Sequence, residues 1–404
     1  MIIDQIGIYQ DFFNRTKNEP LIFIQGSKRS AKTAHLLIEC NDNFVSRNGI
    51  KIQCFSESPK QQNFGLIADY QKLFRPVLPN YKFNASQKTY SHKDNQLAFI
   101  NIQDNIKAND IANSLGACDI RYVNECHGWK RDPIEKLMIN NTGQMFFDYN
   151  PWHKFWADDF ITDTNFLKTT WRDCERFLST NQIRLFNEWT NLGKKSEKGS
   201  YNYWRWQVMC EGNYAKLTGK IFRTDNIHFC TKAGDGLHNY MIFADPSNAK
   251  GGDYFALTLT AIGSDGNCYL IDSFSCNLIE KVLIAEKIKQ LQKDYPVERT
   301  YIETNGRIGL KFYNDCVDSS IPVDGWYSRN DKFERIMANF DVITGKLLIV
   351  DTPQNREFVD QIYTFMSPDD DDYDEDEFYD DNIDCLNNAI LAYILVYGQL
   401  KVLF

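Results

Sequence analysis

The stretch Leu21 to Thr33, LIFIQGSKRSAKT, constrains this chain more than any other. Leu21 to Gln25 are apolar and β-prone and predict a buried strand. Gly26, Ser27 and Ser30 make a small-residue turn, and Ala31-Lys32-Thr33 opens a helical run, AKTAHLLIEC. Strand, tight turn and helix in that order bring backbone N–H groups and a helix N-terminus onto one point, where an anion is stabilised. The pattern GxxxxGK[ST] fits with Gly26 first and Lys32-Thr33 last, while Ala31 stands where the second glycine belongs. The segment therefore predicts a nucleotide phosphate site built from Gly26, Ser27, Lys28, Arg29, Ser30, Ala31, Lys32 and Thr33. Lys32 would reach the β/γ-phosphates of ATP, and the Thr33 hydroxyl would hold Mg2+. Alanine carries a Cβ, so the loop at Ala31 is either in an ordinary conformation or strained. Lys28 and Arg29 are either exposed loop charges or, like an arginine finger supplied in cis, stabilisers of charge on the γ-phosphate.

At 404 residues, with 43% hydrophobic and 14% aromatic content, the chain has material for two cores, with domains expected at 1–215 and 216–404. The formal charge of −9 is concentrated: eight acidic residues lie in 369–377, and without them the net charge is −1. Such a run is expected to be a solvated loop without chemistry. The near-neutral remainder neither demands nor excludes a nucleic-acid partner, since DNA binding needs only a local basic surface. Eleven cysteines carry no CxxC spacing and read as free thiols of a reducing cytoplasm. Apolar runs all fall short of the roughly 18 residues of a membrane span.

Upstream of the loop, IGIYQDFFNR predicts a helix whose Tyr9 and Gln10 are candidates for a nucleotide base or for an ordinary surface. Downstream, strands are expected near 49–55, 96–102 and 120–123, with a helix around 62–74. The 120–123 strand ends in Asn124-Glu125. In a nucleotide hydrolase an acid at such a strand end holds the Mg2+ shell, and a glutamate beside it polarises the attacking water. Asn124 would then serve only as a neutral acceptor for metal-bound water, and Glu125 is the candidate base. A further strand, GQMFFDYN, ends at Asn150-Pro151, where Asn150 would sense the γ-phosphate, and an aromatic helical stretch should follow.

Near Tyr240 the pattern becomes a β-meander, with Asp245 ending its first strand. Glu303 ends a later strand in RTYIETNG, and DDNIDCLNNAILAYILVYG predicts an amphipathic helix with Asp381 and Asp384 on one face. Carboxylates from two strands and a C-terminal helix suit a two-metal nuclease, whose two Mg2+ or Mn2+ ions need hard oxygen ligands from separate elements. Asp253 and Asp272 rank lower, as turn and strand-end residues. Lys332 and Arg335 fit a DNA phosphate contact less well than a solvated helix face.

Taken together, GSKRSAKT, DIRYVNE, FFDYNPWHKFW, EGNYAKLTGKIF, FADPS, YIETNG and DNIDCLNNAI stand in the order found in the large terminase subunit of tailed bacteriophages, which the chain resembles over nearly its full length. The resemblance implies an α/β chain. An N-terminal P-loop (ASCE-type) ATPase with a central, mainly parallel sheet precedes a C-terminal RNase H-like nuclease. It implies ATP and Mg2+ at Lys32 and Thr33, Glu125 as catalytic glutamate, and Asn150 in the segment coupling hydrolysis to movement. It also implies nuclease metals on Asp245, Glu303 and Asp384, with Asp381 as a further ligand candidate. The implied partners are double-stranded DNA, a portal protein, a small terminase subunit and other copies in a ring on the portal, the free chain being a monomer or an oligomer. The implied place of action is the host cytoplasm, transiently on the procapsid. Ala31 and Asn124 depart from the family pattern. A P-loop helicase or repair ATPase fused to a nuclease, and a nucleotide-binding DNA scaffold without turnover, are the alternatives.

Overall fold

β1 (Leu21–Gly26) ends in the first glycine of the loop, and α2 (Lys32–Ser46) begins directly after it in the computed structural model. The structure describes residues 6–56, 61–101, 115–246, 255–276, 281–328, 332–368, 370, 380–398 and 400. The chain divides into two compact units, Met1–Lys216 and Leu217–Phe404.

In the first unit α1 (Gly7–Arg15) precedes β1. The other strands are β2 (Lys51–Ser56), β3 (Lys82–Asn84), β4 (Thr89–His92), β5 (Asn95–Asn101), β6 (Cys118–Val123), β7 (Asn141–Tyr149) and β8 (Phe166–Thr169). They form one sheet in the order β3-β4-β5-β2-β6-β7-β1-β8. Every pairing from β5 to β8 is parallel; only β3-β4 and β4-β5 are antiparallel. Helices α3 (Ile67–Phe74), α4 (Arg131–Ile139), α5 (Thr180–Lys195) and α6 (Tyr201–Arg205) complete the regular elements named here. The central strands are apolar on both faces because both are covered. Ile22, Ile24, Tyr122 and Phe146 pack with Leu36, Leu37 and Cys40 of α2. Phe23, Val123, Met145 and Phe147 pack with Ile134 and Leu137 of α4.

The second unit holds β9 (His228–Cys230), β10 (His238–Asp245), β11 (Phe255–Ile262), β12 (Cys268–Cys276), β13 (Val297–Glu303), β14 (Asp324–Trp326) and β15 (Leu347–Val350), in the order β14-β13-β10-β11-β12-β15-β9. β10, β11 and β12 are the expected antiparallel meander, and β13 joins β10 in parallel. Its helices are α7 (Lys281–Asp294), α8 (Gly306–Asp318), α9 (Lys332–Ala338), α10 (Phe340–Lys346), α11 (Pro353–Ile362) and α12 (Asp381–Ala392).

Two expectations change. The stretch after Asn150-Pro151 forms only a short 3-10 turn, Trp156–Asp159, because its rings fold inward and the Trp156 indole N–H donates to the Trp129 carbonyl at 2.7 Å. The last helix is not amphipathic: Asn382 to Ile390 and Ala392 are all buried, since α12 lies on β10 and β11 and also packs against α9 and α11. Its polar residues are consumed internally, as where Asn382 donates to the Phe358 carbonyl and Asn387 accepts from Asn339. The acidic run 369–377 lies outside the described residues except for Asp370, which accepts the Gly219 N–H at 2.6 Å, and Asp253 lies outside them too. All eleven cysteines are free thiols. Among the described residues, no helix is long and apolar enough to cross a membrane.

Candidate functional site

The loop from Gly26 to Thr33 is held from behind by buried polar contacts. A Cβ on Gly26 would come within 2.6 Å of the Thr169 and Ser30 hydroxyls, so the glycine is required by close approach. Gly212 stands at φ +62° against the same turn, its Cα facing the Ser27 amide and the Thr169 carbonyl, and it accepts the Gln25 side-chain N–H at 2.7 Å. Ala31 adopts φ 63°, ψ 21°, the left-handed conformation that a glycine takes without strain. The strained alternative is the one realised. Ala31 has no side chain able to cap α2, so the first amides of the helix have no side-chain cap, a setting that suits an anion.

Lys32 is buried, and its ammonium donates to the Asn150 Oδ1 at 2.8 Å and to the carbonyls of Ser27 and Gly26 at 3.3 and 3.4 Å. Asn150 thus meets the lysine directly across the loop. Ser30 is buried, its hydroxyl donating to the Ser27 carbonyl; Arg29 is exposed at the tip, at φ 62°, and Lys28 is half-buried. Ser27 differs from expectation. It is fully buried with its amide on the Thr169 carbonyl at 3.0 Å, so it shapes the loop and presents no N–H to a phosphate. Lys28 likewise spends its amide on the Met209 carbonyl. Tyr9 is no base-contacting residue either. Wholly buried, it stacks on His35 with ring centroids 4.1 Å apart and donates to the Ser30 carbonyl at 2.6 Å. Burial pushes its phenol far above the usual range.

Beside Thr33 stands a residue that the sequence pattern did not single out. Asp148, near the end of β7, accepts the Thr33 hydroxyl at 2.8 Å, the Asn124 amide at 3.0 Å and the Glu125 backbone N–H at 2.9 Å. The two N–H groups of the Asn124 amide face Asp148, the Tyr122 hydroxyl at 3.0 Å and, at 3.4 Å, Thr33, so the acceptor role expected of this residue falls to its Oδ1. The adjacent carboxylate can only accept, and this decides the orientation. Glu125 follows at φ 49°, ψ 54°, its carboxylate one-third exposed and 3.5 Å from His127. Left-handed non-glycine residues cost about 1–3 kcal/mol and concentrate at functional sites.

In the second unit, the register pairs Ala244 with Ile302, which sets Asp245 and Glu303 side by side at the strand ends. Asp384, in the first turn of α12, meets them: ligand atoms of all three carboxylates lie within 4.8 Å of one another. Burial and the neighbouring Glu303 and Asp384 charges hold Asp245 well above the usual carboxylate range, and Glu303 is raised by burial and Asp384. Asp384 is raised as well, by burial that outweighs its cationic neighbours. The Asn388 amide donates to Glu303 at 3.2 Å. Asp381 is not one of the three: it lies 3.6 Å from the Lys332 ammonium, though close enough for its charge to add to those raising Asp245. Asp272 is also elsewhere, paired with Lys287 at 2.7 Å.

Lys332 and Arg335 are not on a solvated face. Arg335 grips both oxygens of Asp384 at 2.8 and 2.7 Å, and Lys332 donates to Asp380 at 2.6 Å. Burial works against the Lys332 ammonium, but Asp380, Asp384, Asp381 and Asp245 together raise it well above its ordinary value. Three hard oxygen donors crowded in this way fit divalent cations, and like charges at this spacing need a counter-ion.

Residues 242–393 match the family described as the Terminase RNaseH-like domain. Among solved structures, the large terminase of a thermophilic bacteriophage superposes with a TM-score of 0.72 at 12% identity, covering 96% of this chain and 99% of that one. The same phage protein in complex with ADP gives 0.73 at 12% identity, over 96% and 100% of the two chains. Its ATP-gamma-S complex gives 0.71 at 11%, over 95% and 98%. At the level of sequence alone, no curated protein matches the chain. Most of the C-terminal unit thus matches a terminase RNase H-like domain family, and from end to end the chain shares the fold of a phage large terminase.

Proposed function

We propose that the chain packages phage DNA, its first unit hydrolysing ATP to move double-stranded DNA and its second cutting that DNA with divalent metal. The observation that carries the reading is the convergence of Asp245, Glu303 and Asp384 from two strand ends and a helix start, within a region matched by the Terminase RNaseH-like domain family.

In the first unit, α2's uncapped N-terminus and Lys32 would take the phosphates, and Thr33 would face Mg2+. Bound triphosphate with Mg2+ would supply the scissile anhydride. Glu125, just past the strand end, would act as the base on water, and Asn150, which accepts a hydrogen bond from Lys32, would register whether the lysine is engaged by a phosphate. The thermophilic phage terminase binds ADP and ATP-gamma-S on the same fold, which supports nucleotide as the ligand here. In the second unit Asp245, Glu303 and Asp384 would hold one or two divalent ions, Mg2+ or Mn2+, with Asp381 as a further ligand once released from Lys332. Bound metal would activate water and stabilise the leaving oxygen. The chain's own part is to fix three carboxylates at one point and to neutralise Asp384 through Arg335 when no metal is there. A portal, a small subunit and a ring of copies are the partners that such a motor requires, acting in the host cytoplasm at the procapsid.

The test is cleavage of supercoiled plasmid by the full chain with Mn2+ or Mg2+, alongside ATP turnover. Asp245→Ala should lower cutting on the order of 100-fold or more, since a lost metal ligand removes several kcal/mol of charge stabilisation, and should leave ATP turnover intact. Lys32→Ala should do the reverse. Wild-type plasmid intact in both metals would defeat the nuclease half of the proposal.

A further inference from the structure

Asp148 is fully buried, and among the described residues its hydrogen-bond donors are neutral: a hydroxyl, an amide and a backbone N–H. No lysine or arginine of the described residues pairs with it. A buried carboxylate without a cation is costly, and it marks a place where positive charge is to be received. The sheet order explains why it sits there. β7 lies between β1 and β6, with Ile24 opposite Asp148 on one side and Phe147 opposite Val123 on the other. The end of β7 is therefore one strand spacing, about 4.8 Å, nearer to the loop than the end of β6.

We propose that Asp148 holds the Mg2+ shell of bound nucleotide together with Thr33, so that the acid expected at the end of β6 has moved one strand inward to β7. The proposal rests on the reading of the first unit as a nucleotide hydrolase. The hydrogen bond geometry suits the post. With its proton committed to Asp148 and one lone pair facing the Asn124 amide at 3.4 Å, the Thr33 hydroxyl keeps a second lone pair to offer a metal. The same arrangement accounts for Asn124. An aspartate at 124 would set a second carboxylate 3.0 Å from the first, where both cannot stay ionised, whereas the asparagine amide donates to it.

The measurement is binding of a fluorescent ATP analogue (mant-ATP) to the full chain, with Mg2+ and with EDTA. Wild type should bind on the order of 10–100-fold tighter with Mg2+. Asp148→Asn, nearly isosteric, should lose that increment while keeping its EDTA-state affinity, and the exchange Asn124→Asp with Asp148→Asn should recover part of it. Asn124→Asp alone should not strengthen the Mg2+ increment. An undiminished increment in Asp148→Asn, or none regained in the folded double exchange, overturns the assignment of Asp148 and leaves the hydrolase reading standing. A folded wild type that binds no nucleotide in either condition overturns both. Should Asp148→Asn fail to fold, the double exchange decides alone, because it retains one carboxylate at the sheet edge.

Discussion

His35 lies in the first turns of α2 with one face against the Tyr9 ring, and its Nδ1 has no hydrogen-bond partner. Burial, with Arg176 adding repulsion, lowers its pKa from 6.5 to about 4. A histidine depressed in the folded state binds its proton more readily when unfolded. The stability it contributes is therefore complete above pH 6.5 and is lost as the pH falls towards 4. Between pH 7.5 and 4.5 that loss is about 2–3 kcal/mol. His35→Phe keeps the stack and removes the titration, so urea unfolding at the two pH values should show wild type losing about that much more than the variant. An equal loss in both would place the acid sensitivity elsewhere. Single residues also show what a pattern can and cannot reveal. The strand, turn and helix around Gly26, Lys32 and Thr33 were legible because an apolar run, small residues and a helical run follow one another there. Asp148 was not, because it sits inside FFDYN, where a strand acid is one polar residue among aromatic ones, and only the pairing of β7 with β1 brings it to Thr33.

At the scale of elements, short apolar stretches were readable: the buried parts of β1, β6, β7, β10 and β13 lie where their composition puts them, since a strand segment covered on both faces has no polar side. Elements whose partners are distant in sequence were not. The face of α9 looks like a solvated basic stripe until α12 is laid beside it, and only then do Lys332 and Arg335 meet Asp380 and Asp384. Arg335 and Asp384 have side chains 10% and 2% exposed, so this pair belongs to the interior. Arg335→Gln leaves Asp384 without its cation among carboxylates. In EDTA it should destabilise the protein by about 3 kcal/mol in urea unfolding, in keeping with breaking a buried pair from one side. Mn2+ should restore part of the loss, since metal supplies the missing charge. No difference in EDTA would mean that Asp384 is neutral when metal-free, and that Arg335 contributes only packing.

For the whole molecule, function and stability oppose each other at one point of the second unit. Asp245, Glu303 and Asp384 are held together against burial and mutual repulsion, and all three carboxyls are raised above their ordinary values. A carboxyl whose folded pKa exceeds its unfolded one costs stability once the pH is above both, and part of that cost is carried at neutral pH. Asp245→Asn removes one of the crowded charges and leaves the shape unchanged. In EDTA its Tm should lie above that of wild type, by about 2–4 °C for each kcal/mol of repulsion relieved in a unit of this size. Addition of Mn2+ should reverse the order. Wild type gains about 2.7 kcal/mol at a hundredfold excess over Kd, and the variant gains little, because its site has lost a ligand. Mg2+ with ATP, acting through Lys32 and Thr33 in the other unit, should stabilise both proteins alike. This pattern separates a metal site held in readiness from a structural acidic cluster: in a structural cluster the asparagine would weaken the protein with and without Mn2+, and the two melting curves would never cross.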